Sequence, residues 1–295
     1  MARARWQRRA LAALLPAILA GGCAHDLTQA RGPCAERPGG WCDFTRAMAM
    51  ESWEYAQLSN NTYADDEVFD ELPPGISERY NSGNDDLGYA YAVYDRTVAG
   101  RVVEVILAYR GTEASLDDWF KGNFSEKHNP RGLATYTQLR QDMDASGYAD
   151  VPITVTGHSL GGGIATYVSL REANAKAYVF NTSPRFTLPE QPVVNRRIAV
   201  NERGEALRVL RQFSDIPPVN VFVLNCRPGG GMFGDHSMRR LAECLTWIAG
   251  YVDERARASV AANKIAQPPI ETMYELKGGY FEPIEKPEAA PEGED

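Results

Sequence analysis

Positive charge is scarce in this sequence. Its 31 Lys and Arg are outnumbered by 39 Asp and Glu, for a formal net charge of −8. Four of those Arg fall within the first 22 residues, so the rest of the chain is more acidic still. Such a balance excludes a nucleic-acid partner, which needs a basic face, and electrostatic attraction to an anionic membrane. There is no H-E-x-x-H and no Cys/His cluster at zinc spacing, so no metal site is expected. A Walker motif and a dinucleotide fingerprint are both absent, so no cofactor is expected. No apolar run is long enough to span a bilayer comfortably, and no internal repeat is visible. Histidine is rare, with four in 295 residues, which narrows any search for a catalytic base. What remains is ordinary globular composition, 44% hydrophobic and 24% charged, in a chain long enough for one large α/β domain with a full core.

The N-terminus reads as an export signal. Arg3, Arg5, Arg8 and Arg9 form a positive region, and Leu11 to Leu19 a short apolar one, which is the pattern of a secretory signal peptide. It ends in Leu19-Ala20-Gly21-Gly22-Cys23. Small residues before a Cys are similar to a bacterial lipobox, in which the Cys is lipidated and becomes the new N-terminus. The expected organisation is a signal peptide over 1–22, a lipidated tether over 23–42 and a catalytic domain over 43–262. An acidic, Pro-rich tail follows over 263–295. The expected location is the bacterial cell envelope, as an outer-membrane lipoprotein facing the periplasm or the exterior, held to the membrane through Cys23. Apart from Cys23, four cysteines remain, and an even count in an exported chain suggests disulfides. Cys34–Cys42 and Cys226–Cys244 are the local pairings, and two other connectivities exist.

Helical spacing of Phe44, Ala47, Met48, Trp53, Ala56 and Leu58 predicts a helix over 43–60. Residues 88–95 and 102–109 read as paired strands. A helix over 133–146, a strand over 153–156, a helix over 160–172 and a buried strand over 178–180 follow. Residues 198–201 and 207–213 flank a Glu-Arg-Gly-Glu turn and suggest a hairpin. A strand over 221–224 and an amphipathic helix over 237–254 close the domain. Strands alternating with helices predict a mostly parallel central sheet flanked by helices.

The central chemical signal is Gly157-His158-Ser159-Leu160-Gly161, with an apolar strand before it and a helix-compatible run after it. This is a G-x-S-x-G nucleophile elbow, in which the serine sits on a strained strand-to-helix turn. The positions two before and two after it lie too close together for anything but small side chains. The helix N-terminus behind the serine favours a developing oxyanion.

With that elbow the chain resembles the class 3 lipase family, of which the fungal triacylglycerol lipases are members, on the α/β-hydrolase fold. Two further motifs carry the resemblance. Tyr109-Arg110-Gly111-Thr112 follows an apolar strand, with Asp118-Trp119 shortly after, and Ser214-Asp215-Ile216-Pro217-Pro218 is similar to the family's acid motif. The resemblance implies that Thr112 and Leu160 donate backbone N–H groups to an oxyanion hole and that Asp215 is the triad acid, with Asp235 and Asp253 as rivals. Where fungal relatives carry an acid three residues past the Trp, this chain has Gly122, with Asp117 or Asp118 as substitutes.

The base follows by elimination. In the hydrolase order of Ser, then acid, then His, only His236 comes after both Ser159 and Asp215. His25 lies in the tether, His128 precedes the nucleophile, and His158 sits inside the elbow with its side chain expected to point away from the reacting face. The resemblance implies hydrolysis of carboxylic esters of lipids, by a lipase or phospholipase using Ser159, Asp215 and His236 through an acyl-enzyme. The alternatives are a short-ester esterase, an acyltransferase, or a non-catalytic envelope-binding lipoprotein that uses the fold for binding. The apolar residues Ala114, Leu116, Trp119 and Phe120 suggest core packing or a lid, and Trp53, Tyr55 and Tyr63 core packing. The expected partner is a lipid or ester substrate. The sequence does not report an oligomeric state.

Overall fold

Seven strands lie side by side in the order in which the chain makes them. The computed structural model describes residues 34–283, apart from 64–67, 84, 86–87, 112–126, 213, 215–218, 228–230, 232–233, 272–273 and 278–279. Cys23, Thr112, Asp215, the acids Asp117 and Asp118 and the apolar residues 114–120 all lie outside the described residues. Strands β1 (Ile76–Asn81), β2 (Tyr91–Val98) and β3 (Arg101–Tyr109) run antiparallel. From β3 onward every neighbour is parallel: β4 (Ile153–His158), β5 (Ala175–Phe180), β6 (Arg197–Glu202) and β7 (Asn220–Leu224). This is a mostly parallel sheet flanked by helices, the α/β-hydrolase architecture.

Period-2 alternation in the central strands divides two cores. Val105, Leu107, Tyr109, Ile153 and Val155 join one cluster, and Ile106, Ala108, Tyr178 and Phe180 the other. Helices α1 (Asp43–Asn60), α2 (His128–Ala145) and α3 (Leu160–Ser169) come next in the chain. Helices α2 and α3 supply Tyr136, Met143, Ile164 and Val168 to the first core. Helix α1 packs on the opposite face against α5 (Met238–Gly250), followed by α6 (Glu254–Ala262). The label α4 is given to a single turn, Arg208–Arg211. Between the helices, Gln57 Nε2 donates to Thr246 Oγ1 and Ser259 Oγ, each at 2.9 Å. Trp53, fully buried, donates its indole N–H to Asp253 at 3.1 Å.

Several features depart from the sequence reading. The expected hairpin over 198–213 does not form. Strand β6 pairs in parallel on both sides, and Leu207 begins a helical turn because the Glu205 carboxylate accepts its N–H at 2.8 Å. Strand β1 escaped notice because only Ile76 of its six residues is buried, which leaves no alternation to read. Structure also extends past both expected edges of the domain. Trp41, assigned to the tether, is completely buried, and its indole donates to Glu271 Oε2 at 3.1 Å. In the segment assigned to the tail, β8 (Tyr274–Lys277) and β9 (Tyr280–Pro283) form a hairpin whose Phe281 stacks on Tyr251 and meets Trp247 edge-on. The cysteines join as Cys34–Cys42 and Cys226–Cys244.

Replacing Trp41 with Ala would empty a fully buried site and remove the indole donor to Glu271, at a cost of about 3–5 kcal/mol. Urea unfolding is expected to show a midpoint lowered accordingly, whereas a truly free tether would leave it unmoved.

Candidate active site

Ser159 stands between β4 and α3 with φ +55° and ψ −122°. A positive φ is costly for a residue with a side chain, and it persists here because the surroundings are built around it. An ideal Cβ on Gly157 would lie 2.5 Å from the Gly161 carbonyl, and one on Gly161 would overlap the Tyr109 carbonyl oxygen. Only glycine fits at either place, so strand end and helix start close on each other and the serine projects from the apex. The backbone of Ser159 is tied down as well. Its N–H donates to the Phe180 carbonyl at 3.1 Å, and its own carbonyl accepts from Ser183 at 2.9 Å and Gly163 at 3.2 Å.

Facing the serine is His236, in a one-turn 3-10 helix (Gly234–His236) just before α5. The Ser159 hydroxyl lies 3.0 Å from His236 Nε2. The other ring nitrogen, Nδ1, lies 2.9 Å from Glu205 Oε2. A carboxylate only accepts, so Nδ1 carries the proton and Nε2 faces the serine as a lone pair. The carboxylate in contact with His236 is thus that of Glu205, from the turn after β6; the expected Asp215 lies outside the described residues. Neither rival acid fills the position. Asp253 caps α6 through the Arg255 N–H and accepts from Trp53, while the Asp235 carboxylate packs against Gly204. The Ser, acid, His order of the chain is kept with Glu205 in the middle.

Glu205 is completely buried along its side chain. Burial alone would raise its pKa. The His236 hydrogen bond, the Arg211 charge and the Leu207 N–H outweigh that and hold it below the ordinary value of 4.5. Arg211 pairs with Oε1 and also donates to the Thr182 carbonyl at 2.8 Å. The only mark of Glu205 in the sequence was its place at the C-terminal end of a buried strand, where α/β sheets gather their site residues.

The loop that presents His236 is fastened at several points. Asn181 donates to the Asp235 carbonyl at 3.2 Å, and its own side-chain oxygen accepts from the Glu202 N–H at 2.7 Å. The Glu202 carboxylate accepts from the Cys226 N–H at 2.8 Å, and the Cys226–Cys244 bridge joins that loop to α5. His158 does not project idly from the elbow. Its ring is buried and hydrogen-bonds Tyr63 on one side and the His236 carbonyl on the other.

For an oxyanion, Leu160 opens α3, and the N–H groups of a helix's first turn have no intrahelical partner. Thr112, the other expected donor, lies outside the described residues. The preceding Gly111 packs so closely on the elbow that a Cβ there would come within 3.2 Å of Ser159 Cβ. An apolar cavity of about 370 Å³ lies behind the acid, lined by Val179, Ala199, Val221, Val223, Phe186 and Arg211 among others. Neither Ser159 nor His236 lines it, so it is not part of the reacting face. Among the described residues, no group of His, Cys, Asp and Glu is arranged to hold a metal ion.

On this fold the Ser159–His236–Glu205 chain has the geometry of a serine nucleophile, base and acid. Residues 54–184 match the model of a phospholipase-like family, described as a Tle-like phospholipase domain. The matched stretch contains the elbow and ends before Glu205 and His236. It agrees with the lipase resemblance of the motifs and supports a lipid-ester hydrolase at family level. Among solved structures, the chain is similar to a lipase from Rhizopus microsporus var. chinensis (15% identity, 60% of this chain and 74% of that chain, TM-score 0.46). It is also similar to the Rhizomucor miehei lipase in its propeptide complex (14%, 60% and 68%, 0.42) and to a triacylglycerol lipase from Penicillium expansum (13%, 61% and 78%, 0.42). At these TM-scores no residue role carries over from those proteins. A comparison with curated proteins found no match.

Glu205→Gln is expected to lower kcat by about 10³–10⁴-fold, as loss of the acid does in comparable triads, while Asp215→Asn leaves it essentially unchanged. Ester hydrolysis by the two variants side by side decides between the acids. Because the folded-state pKa of Glu205 is depressed, its contribution to stability is fully present above its unfolded value and is lost as pH falls through the lowered one. Urea midpoints of the wild type should therefore fall on acidification through that window, and Glu205→Gln should flatten this part of the curve.

Proposed function

We propose that this protein is a serine hydrolase that cleaves carboxylic esters of lipids, as a lipase or phospholipase, through an acyl-enzyme. The observation that carries the reading is the unbroken hydrogen-bond chain from Ser159 through His236 to a buried carboxylate, at 3.0 and 2.9 Å, on a strained elbow. Strain at a nucleophile turn together with a base in hydrogen-bond reach has a chemical use that packing alone does not explain.

In this reading Ser159 Oγ attacks the ester carbonyl while His236 Nε2 accepts its proton. The carbonyl oxygen becomes an oxyanion, which the Leu160 N–H and the positive end of α3 stabilise. The expected Thr112 N–H is the second donor, and such a donor pair contributes several kcal/mol at the transition state. Collapse of the tetrahedral species breaks the bond to the alcohol, which leaves with the proton from His236. Water then attacks the acyl-enzyme by the same route and releases the acid. Glu205 holds the Nδ1–H tautomer throughout and stabilises the imidazolium formed at each step.

The phospholipase-like match over residues 54–184 supports a lipid as the acyl donor. Anchoring through a lipidated Cys23 at the cell envelope belongs to the same proposal, and would hold the domain beside its substrate without the charge attraction that an acidic chain lacks.

The test is hydrolysis of p-nitrophenyl esters of increasing chain length and of phospholipid vesicles by protein lacking residues 1–23, beside Ser159→Ala. Turnover that rises with chain length and is lost in Ser159→Ala is the expected outcome. A folded wild type inert toward all of them would sink the hydrolase reading in favour of a binding protein.

A further inference from the structure

The elbow residue before the nucleophile makes contacts that the triad leaves unused. Strand β4 turns Thr154, Thr156 and His158 toward α1, since alternate residues share a face, and all three are buried. Thr154 and Thr156 are satisfied within that layer, by Glu104 and by Ser59 with the Tyr178 carbonyl. His158 instead reaches the catalytic loop. Its Nε2 lies 2.8 Å from the His236 carbonyl oxygen and its Nδ1 lies 2.8 Å from the Tyr63 hydroxyl, while the two imidazoles stand 4.7 Å apart.

The protons on this chain can be assigned. A carbonyl oxygen only accepts, so His158 Nε2 bears the hydrogen and donates it to His236. Nδ1 is then a lone pair, and the Tyr63 hydroxyl donates to it. A doubly protonated His158 would lose the Tyr63 bond and place a second positive charge beside the imidazolium that catalysis forms. Burial, and secondarily His236 itself, hold the His158 pKa well below its ordinary value, so the ring stays neutral. Tyr63 is fixed in turn, because it sits just past the end of α1, where its N–H donates to the Asn60 carbonyl at 3.0 Å, and its hydroxyl lies against Gly111.

We propose that His158 and Tyr63 are positioning residues for the base: Tyr63 sets the tautomer of His158, and His158 grips the backbone of His236, whose side chain is held by the neighbouring Ser159. The inference rests on the hydrolase reading above. Its physical content is a common anchor. Two consecutive residues, their Cα atoms about 3.8 Å apart, hold the base at its carbonyl and at its ring. Serine and histidine are then held to the same element. A fixed separation matters because a displacement of roughly 1 Å at a reacting pair costs on the order of 10²-fold in rate.

The experiment compares His158→Phe, His158→Gln and Tyr63→Phe with the wild-type chain. His158→Phe keeps a ring and removes both hydrogen bonds. The Gln amide nitrogen sits as many bonds from Cα as Nε2 does and can restore the donor to His236. Steady-state ester kinetics, the rate of fluorophosphonate labelling at Ser159 and urea midpoints are measured on each, with ¹⁵N NMR of the imidazoles in the wild type. The expected result is a kcat and labelling rate about 10- to 100-fold lower in His158→Phe, with KM little changed. Substantial rescue is expected in His158→Gln, with a smaller loss in Tyr63→Phe and an Nε2–H His158 in the wild type that does not titrate near neutrality. A His158→Phe enzyme with full kcat overturns the proposal, as does a loss that follows the unfolded fraction and is not rescued by Gln, or an Nδ1–H tautomer. An inert, unlabelled wild type sinks the hydrolase reading itself, whereas an active wild type beside an unaffected His158→Phe sinks this inference alone.

Discussion

The backbone of Ser159 is held in a conformation it would not adopt alone, and most of the molecule's order near the site follows from that. With φ at +55°, the residue needs a strand end, a helix start and a neighbouring strand all within contact of it. Gly157 and Gly161 permit that approach, and the Tyr109 carbonyl at the end of β3 closes it. The Phe180 carbonyl at the end of β5 takes the serine N–H. The elbow is therefore a junction of three parallel strands, and their register sets where the nucleophile stands. Its hydroxyl can be held toward His236 while its backbone stays rigid, because the strain is carried by the sheet and not by a loop.

The acid and the base reach this junction from segments that are tethered in different ways. Glu205 is held by burial and charge, with its carboxylate divided between Arg211 on one oxygen and His236 with the Leu207 N–H on the other. A fully buried carboxylate is tolerable only with that many partners. His236 is held by a series of backbone contacts, to Asn181 through Asp235 and to His158 directly, with the Cys226–Cys244 bridge behind. A bridge closing a loop of this length contributes about 3 kcal/mol through the unfolded state, and here it also limits how far the base can drift from the serine. The opposite end of the domain is closed by its own termini, with Trp41 on Glu271 and Phe281 over Tyr251.

Much of this was legible in the sequence. The central strands and most helices between Asp43 and α5 could be read from period and punctuation, because those strands are buried on both faces and the helices carry apolar residues at helical spacing. Ser159 was legible because G-x-S-x-G is a steric requirement, and His236 because so few histidines compete. Other parts had no local signature. Strand β1 buries one residue in six, and the closing hairpin lies in a stretch whose Pro and Glu content resembles a tail. Glu205 was overlooked because it sits in a Glu-Arg-Gly-Glu run that reads as a hairpin turn, whereas Asp215 stands in a string similar to a known acid motif.

Sequence alone determined the class of the fold and singled out Ser159 and His236 as candidates, since each depends on patterns within a dozen residues or on the scarcity of a residue type. Tertiary structure decided which carboxylate meets His236, that Tyr63 and His158 reach the catalytic loop, and where the domain ends. Those are contacts between residues tens to hundreds of positions apart. They are set by strand register and by the matching of buried charges and hydrogen bonds across the fold, and such matching has no period that a linear sequence displays.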